Sequence, residues 1–212
     1  MPSVEKTDSQ FDFGIPSHRD GFIRLGKTTR HKLTEEETNH LLSLTALSLS
    51  AFNVNNCRFV VVRDVELRKQ INKLSLNKAQ IPQVFSLIIL CADLQHGKKD
   101  SGENGGSDSE KAKTTTASRK KRSQRDSKQL QRDEAMCSCG IAAQTLMLTA
   151  KAMGYDSWRV DGFDYDGVGE VINLPNDYVV AMLLVVGKNI KQLWPNGSQV
   201  NFTNVMIMDQ FD

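Results

Sequence analysis

The sequence predicts a layered α/β or α+β domain built around a single sheet. Short apolar segments of strand length alternate along the chain with segments that carry apolar residues at helical spacing. With 212 residues the chain is long enough to bury a core, and 39% hydrophobic and 25% charged residues are typical of soluble globular proteins. We therefore expect its helices and strands to pack in layers around one hydrophobic core.

The first predicted elements are a helix and a strand. A helix is expected over residues 35–48, where apolar residues recur at roughly helical spacing. Thr34 and Glu37 have the spacing of a capping box, which places the N-terminus of this helix. Residues 58–63 form a short run rich in β-branched side chains, which predicts a buried strand.

The next pair is again a helix followed by a strand. Asp64 is expected to cap a helix over residues 65–72. Residues 84–92 are almost continuously apolar, a pattern typical of a strand that is covered on both faces. We therefore expect this strand to lie centrally in the sheet.

The C-terminal half continues the alternation. Residues 133–153 predict a long core helix, and Gly154 stands where a C-terminal cap belongs. Beyond it the sequence predicts a strand over 155–160, a short helix over 165–172 and a buried strand over 178–186.

A basic insert separates the two halves of the predicted domain. Residues 98–132 carry eleven Lys or Arg and five Asp or Glu, a local charge of +6, whereas the rest of the chain carries 16 basic and 20 acidic residues. Residues 96–128 have no aromatic side chain and little aliphatic bulk, so burial cannot offset their ordering entropy and we expect disorder. The predicted organisation is a polar segment over 1–20 and one domain over 21–212, interrupted by the insert at 96–130.

Several function classes are excluded by the residue patterns. None of the four histidines stands in a metal-ligand pair, and no Gly-x-Ser-x-Gly motif occurs, which argues against a zinc site and a serine hydrolase. The longest apolar stretches are about half a membrane span and the first residues lack an apolar signal core, so a cytoplasmic protein without membrane insertion is expected. The four cysteines, which form no CxxC pair, fit a reducing compartment: Cys57, Cys91, Cys137 and Cys139.

A polar segment lies between the first predicted helix and the strand that follows it. It reads Leu-Ser-Ala-Phe-Asn-Val-Asn-Asn-Cys-Arg-Phe over residues 49–59, and its amides and hydroxyl can either cap the local backbone or point into a cleft. The segment resembles Pro-Ser-x-x-Asn-x-Gln-Pro-Trp-x-Phe of the nitroreductase family of flavin enzymes. Ser50, Asn53 and Phe59 match that pattern directly.

The resemblance continues over most of the predicted domain. Five more segments that are similar to family motifs follow in the family's order: Asn-Lys-Ala-Gln at 77–80, Ala-Asp at 92–93, Ala-Lys-Ala-Met-Gly at 150–154, Asp-Gly-Phe at 161–163 and Leu-Pro-Asn at 174–176. Each motif alone is weak evidence. Their common order identifies the chain as a member of this family.

The resemblance implies a fold and a chemistry. The fold would be α+β, a three-layer α/β/α sandwich with a central mixed, mainly antiparallel sheet, in a homodimer that binds FMN at the subunit interface. The activity would be that of an NAD(P)H-dependent oxidoreductase, in which FMN passes hydride from NADH or NADPH to a small electrophilic acceptor such as a nitroaromatic or a quinone. Since the flavin carries the chemistry, neither a catalytic side chain nor a metal is expected.

The resemblance also implies which residues of this flavoprotein bind the cofactor. The side chains around the isoalloxazine ring would be hydroxyls or amides: Ser50, Asn53, Asn55, Asn77 and Gln80. Asn77 would lie beside the pyrimidine or N5 edge, and the backbone of Asp161 and Gly162 would face the ring near N5. Amide N–H groups in such places stabilise the electron-rich reduced ring.

The FMN phosphate would be held near the N-terminus, where the family has Arg-x-Ser-x-Arg. The corresponding residues here are two cations and a hydroxyl: Lys27, Thr28 and Arg30. Ser-His-Arg at 17–19 is a competing alignment. The family's C-terminal cation has no direct counterpart, and Lys188 and Lys191 are the candidates to replace it.

Two alternatives to an enzyme are kept open. The first is a non-catalytic flavin-binding or sensor protein on the same fold, because Asn-Asn-Cys at 55–57 replaces the family's Gln-Pro-Trp. The second is a nucleic-acid contact through five clustered cations of the insert: Arg119, Lys120, Lys121, Arg122 and Arg125. Since no aromatic side chains stand between these cations to stack on bases, a solvated linker is the preferred interpretation.

Overall fold

The computed structural model describes residues 23–25, 32–48, 56–74, 86–95, 128–188, 190–192 and 205–209. Its elements in chain order are β1 (Ile23–Leu25), α1 (Glu35–Thr45), β2 (Cys57–Val62), α2 (Val65–Lys73), β3 (Ser86–Asp93), α3 (Lys128–Ala152), β4 (Asp156–Val160), α4 (Tyr165–Val171), β5 (Tyr178–Gly187) and β6 (Ile190–Gln192). The predicted alternation of helices and strands is confirmed. Most of the insert and the polar N-terminal segment lie outside the described residues.

Four strands form one antiparallel sheet in the order β2-β3-β5-β4. Phe59 of β2 lies opposite Leu90 of β3, and Leu90 lies opposite Met182 of β5. All eight residues of β3 are buried, which confirms the central strand expected from its apolar run. A second, two-stranded antiparallel sheet pairs β1 with β6, an element pair that the sequence analysis did not predict.

Helices cover both faces of the four-stranded sheet. Ile88 of β3 belongs to a core that includes Leu41 of α1 and Leu146 of α3. Ile89, the next residue, points to the opposite face and packs with Ile71 of α2 and with side chains of α4. The expected three-layer α/β/α sandwich is therefore confirmed. Among the described helices, none combines the length and the apolar content that a membrane crossing requires.

Cap geometry confirms the predicted starts of α1 and α2 and the predicted end of α3. Thr34 Oγ1 accepts the N–H of Glu37 at 3.1 Å, and the N–H of Thr34 donates to Glu37 Oε2 at 2.8 Å, which completes the capping box. Asp64 Oδ1 accepts the N–H of Leu67 at 2.7 Å at the start of α2. Gly154 follows α3 with φ of 78°, the left-handed conformation in which glycine ends a helix.

Some expected boundaries and environments are corrected. α1 ends at Thr45 rather than at residue 48. α3 begins at Lys128 rather than at residue 133, because its first turn is exposed and carries no apolar period to detect. β2 is not a buried strand: only Val62 of its residues is buried, since β2 pairs with β3 on one side and lies at the edge of the described sheet.

A tyrosine connects the start of β4 with the first turn of α1. Tyr155 is 1% exposed, and its hydroxyl donates to Glu37 Oε1 at 2.5 Å. The ammonium group of Lys188, directly after β5, lies 4.7 Å from the centre of the Tyr155 ring. Burial, followed by the hydrogen bond to Glu37, raises the pKa of Tyr155 to about 12. The phenol therefore keeps its proton and its contact far above neutral pH.

Tyr155→Phe is expected to lower the free energy of unfolding at neutral pH by about 1–3 kcal/mol, because the Glu37 carboxylate loses a donor. Since the pKa of Tyr155 is raised in the folded state, this stabilisation is fully present below pH 10 and is lost as the pH rises through 12. Urea unfolding of both proteins across this range measures the difference, which should shrink with rising pH. A difference that stays constant would contradict this account.

Candidate functional site

Of the polar segment 49–59, the structure describes residues 56–59, and Asn56 is the residue directly before β2. Asn56 is 4% exposed, and its carbonyl accepts the N–H of Asp93 at 2.9 Å. The side-chain Oδ1 of Asn56 is buried and accepts no hydrogen bond from the described residues. Buried polar atoms without a partner are rare in folded proteins, so this acceptor is incompletely paired among the described residues.

A buried carboxylate holds the strand ends around Asn56. Asp93, the last residue of β3, accepts the hydroxyl of Tyr178 at 3.0 Å and the N–H of Gln95 at 3.0 Å. Arg58 of β2 lies 3.9 Å from the same carboxylate. Asp93 thus joins the start of β2, the end of β3 and the start of β5. Its role was not predicted from the sequence, although an acidic residue at the end of an almost wholly apolar strand is a usable signal.

Of the residues expected to bind FMN, the structure describes Asp161 and Gly162, which form the turn after β4; Asn56 was not among those expected. Gly162 has φ of 78°, a conformation in which a residue with a side chain is strained. Among the described residues, none accepts a hydrogen bond from the N–H of Asp161 or of Gly162. Two adjacent N–H groups at a turn can donate to electron-rich atoms of a ligand.

The Asp161 side chain forms an ion pair with the strand that precedes it. Arg159 Nε lies 2.9 Å from Asp161 Oδ1, and Arg159 Nη2 donates to Oδ2 at 3.0 Å. Tyr165, the first residue of α4, is close enough for the charges of Asp161 and Arg159 to affect its pKa. Burial, and then the Asp161 carboxylate, raises the pKa of Tyr165, while Arg159 acts in the opposite direction. The ion pair of Asp161 and Arg159 therefore has no net charge, and the Tyr165 phenol beside it is neutral.

The far side of the turn is fixed to the core. Phe163 is buried, and the N–H of Asp164 donates to the carbonyl of Leu74 at the end of α2 at 3.1 Å. The Asp164 carboxylate accepts the N–H of Gly167 at 3.0 Å and caps α4. The backbone of this turn is thus held between β4, α2 and α4.

The other residues expected to bind FMN lie outside the described residues: Lys27, Thr28, Arg30, Ser50, Asn53, Asn55, Asn77 and Gln80. The same holds for the competing segment 17–19 and for the clustered cations of the insert. Lys188, a candidate for the phosphate, has its ammonium group over the Tyr155 ring. Lys191 lies in β6.

Three of the four cysteines, Cys57, Cys91 and Cys139, lie near one another where β2 and β3 meet α3. Cys57 packs against the buried Cys139 of α3. A hydrogen bond with Cys139, followed by burial, raises the pKa of the Cys57 thiol far above its usual value, and burial raises the pKa of Cys91 to about 12. Protonated thiols are poor nucleophiles and poor metal ligands. In the described ranges, no group of three or more His, Cys, Asp or Glu could hold a metal ion.

Comparisons with known proteins agree on one family. The model of the Nitroreductase family matches residues 28–188. Protein DrgA from Synechocystis is 36% identical over 158 residues, which cover 74% of this chain and 75% of DrgA. An oxygen-insensitive NADPH nitroreductase from Helicobacter pylori is 28% identical over 176 residues, which cover 77% of this chain and 81% of that protein.

A solved structure shares the fold. A protein from Exiguobacterium sibiricum, crystallised in complex with FMN, matches with a TM-score of 0.78 at 20% sequence identity. The match covers 95% of this chain and 99% of that chain. The three-layer fold of this chain is therefore a known fold, shared over almost the whole length of both proteins.

Gly162→Ala is expected to lower the free energy of unfolding by about 1–2 kcal/mol, because alanine disfavours the left-handed conformation. We also expect it to weaken FMN binding, since relief of this strain would turn the two N–H groups away from the ligand. Gly154→Ala is the matched control: Gly154 has the same φ of 78°, and nothing lies within 4 Å of an added Cβ.

Urea unfolding should give similar losses of stability for the two glycine variants. Titration of flavin fluorescence should give a higher Kd for FMN in Gly162→Ala alone. Equal FMN affinity in the two variants would exclude the turn from the flavin site.

Proposed function

Because the chain belongs to the nitroreductase family, we propose that it is an FMN-dependent oxidoreductase that passes hydride from NADH or NADPH to a small electrophilic acceptor. Nitroaromatics and quinones are the proposed acceptor class. The observation that carries the proposal is the family match over residues 28–188, which spans Asn56 and the turn at Asp161 and Gly162. The NADPH nitroreductase of H. pylori and the FMN complex of the E. sibiricum protein support the choice of reductant and cofactor.

The described residues fit FMN by their chemistry. The isoalloxazine ring presents several acceptor atoms and one N–H donor. The N–H groups of Asp161 and Gly162, which donate to no described residue, suit the acceptors, and the buried Oδ1 of Asn56 suits a donor. Ser50, Asn53 and Asn55 would add a hydroxyl and two amides. When bound, FMN supplies the hydride chemistry, and the protein supplies binding and orientation.

The chain's contribution to the reaction would be electrostatic. Backbone N–H groups held at a fixed turn stabilise negative charge that develops on a bound ring, and they need no reorganisation when it appears. Gly162 permits the required turn, while Phe163 and the bond from Asp164 to Leu74 hold it in place. No acidic or nucleophilic side chain is required for this role.

The distance between Asn56 and the turn at Asp161 and Gly162 supports a homodimer in which the two subunits share the FMN site. Asn56 lies beside β2 at the level of Asp93, whereas the turn follows Val160 at the other lateral edge of the sheet. Three inter-strand spacings and a similar offset along the strands separate them by roughly 20 Å. This distance exceeds the length of an isoalloxazine ring. The polar segment 49–59 of one copy would therefore form the FMN site together with the turn of a second copy.

Exposed apolar side chains favour the same assembly. Four consecutive residues near the C-terminus, Val205, Met206, Ile207 and Met208, are between 45% and 72% exposed. Leu47, directly after α1, is 80% exposed. Contiguous apolar surface of this kind is characteristic of contacts between proteins. A second copy of the chain is the partner that we propose.

The direct test of the function is spectroscopic. Purified protein should show the visible absorption of oxidised flavin, and the released flavin should be FMN. Anaerobic addition of NADH or NADPH should bleach that absorption, and a quinone or a nitroaromatic should restore it. Protein that neither contains nor takes up FMN would overturn the proposed function.

The same experiment separates the alternative function. A flavin-binding or sensor protein would bind FMN without acceptor-dependent oxidation of NADH or NADPH. The observation that favours this alternative is the buried Asn56 together with Cys57, where the family has proline and tryptophan. Restoration of the oxidised spectrum by an acceptor would exclude it.

Subunit mixing tests the shared site. One variant combines Asn53→Ala with Asn55→Ala, and the other carries Gly162→Val, so each should be inactive alone. With random pairing about half of the dimers would be heterodimers, and one of the two sites in each heterodimer would have both intact parts. Co-expression should therefore recover about a quarter of wild-type turnover. If each site lies within one chain, the mixture would recover nothing.

A further inference from the structure

A cation lies beside the turn at Asp161 and Gly162. Arg159 is an exposed residue of β4, and its guanidinium makes two contacts with the Asp161 carboxylate, at 2.9 Å from Nε to Oδ1 and at 3.0 Å from Nη2 to Oδ2. Two contacts from a planar guanidinium fix the orientation of both groups. The Asp161 carboxylate is therefore paired with a cation beside the turn's two N–H groups.

The charge of this carboxylate has a predictable effect on a neighbouring flavin. Reduction makes the ring more negative, so an unpaired carboxylate beside it would oppose reduction. A guanidinium in contact with the carboxylate cancels most of that effect. The pair is about half exposed, which weakens the interaction through solvent screening but does not abolish it.

We propose that Arg159 is a positioning residue for flavin reduction: it holds the Asp161 carboxylate on β4 and cancels its charge beside the ring. The reduction potential of bound FMN is thereby kept higher than the unpaired carboxylate would allow. This inference rests on the proposed function, because it requires FMN at the turn. Arg159 acts through Asp161 and needs no contact with the flavin.

The neighbouring titratable groups do not replace Arg159. Asp164 accepts the N–H of Gly167 and caps α4. Tyr165 stays a neutral phenol, because burial and the Asp161 carboxylate raise its pKa. Among the cations that the structure describes, Arg159 alone forms an ion pair with Asp161.

The experiment measures the midpoint potential of FMN bound to the full chain, together with the Kd for FMN and the anaerobic rate of reduction by NADH or NADPH. The variants are Arg159→Gln, Arg159→Lys, Asp161→Asn and the double variant of Arg159→Gln with Asp161→Asn. Arg63→Gln is the matched control, because it breaks an exposed ion pair with Glu35 at the opposite edge of the sheet.

We expect Arg159→Gln to lower the potential and to slow flavin reduction roughly three- to tenfold, the effect of one partly screened charge. Asp161→Asn should raise the potential, and the double variant should return close to wild type. Arg159→Lys should keep most of the wild-type potential, since it retains the charge. Arg63→Gln should leave all three quantities unchanged.

The outcomes separate this inference from the proposed function. Wild-type protein that takes up no FMN overturns both. With FMN bound, an unchanged potential in Arg159→Gln, or an equal shift in Arg63→Gln, overturns the role of Arg159 alone. A fall of the potential in both Arg159→Gln and Asp161→Asn also overturns it, because the pair would then only hold the turn together.

Discussion

The burial of β3 on both faces is the constraint on which the rest of the structure depends. All eight of its residues are buried, and successive side chains enter the two cores that hold α1 with α3 and α2 with α4. Together with β5, the other inner strand, β3 gives each helix layer an apolar surface to cover. Asp93 ends β3, and its N–H donates to the carbonyl of Asn56 while its buried carboxylate accepts the hydroxyl of Tyr178.

The polar groups of the proposed site lie near the places where strands begin or end, because the inner strand β3 is apolar from Leu87 to Ala92. Asn56 precedes β2, and Asp161 follows β4, so the antiparallel order places both toward one end of the sheet. They belong to its two lateral edges, however, and β3 and β5 lie between them. An antiparallel sheet thus separates the two parts of the proposed site within one chain, which is the physical reason for proposing that two copies share it.

Most of the fold could be predicted because the signals are local. The capping box of Thr34 and Glu37, the N-cap of Asp64 and the end of α3 at Gly154 each depend on residues a few positions apart. The site was less predictable. Its backbone turn at Asp161 and Gly162 followed from a family resemblance, whereas the roles of Asp93 and Arg159 depend on partners that strand pairing and a strand end bring together.

The amino-acid sequence was sufficient to predict the alternation of helices and strands from α1 to β5, the central position of β3 and the family, because periodicity, caps and ordered motifs are properties of neighbouring residues. Only the tertiary structure decided that Asp93 holds three strand ends, that Tyr155 reaches Glu37 across the fold, and that Asn56 and Asp161 lie at opposite edges of the sheet. These facts depend on strand order and on contacts between distant segments. No local pattern specifies which of several apolar strands becomes the neighbour of another.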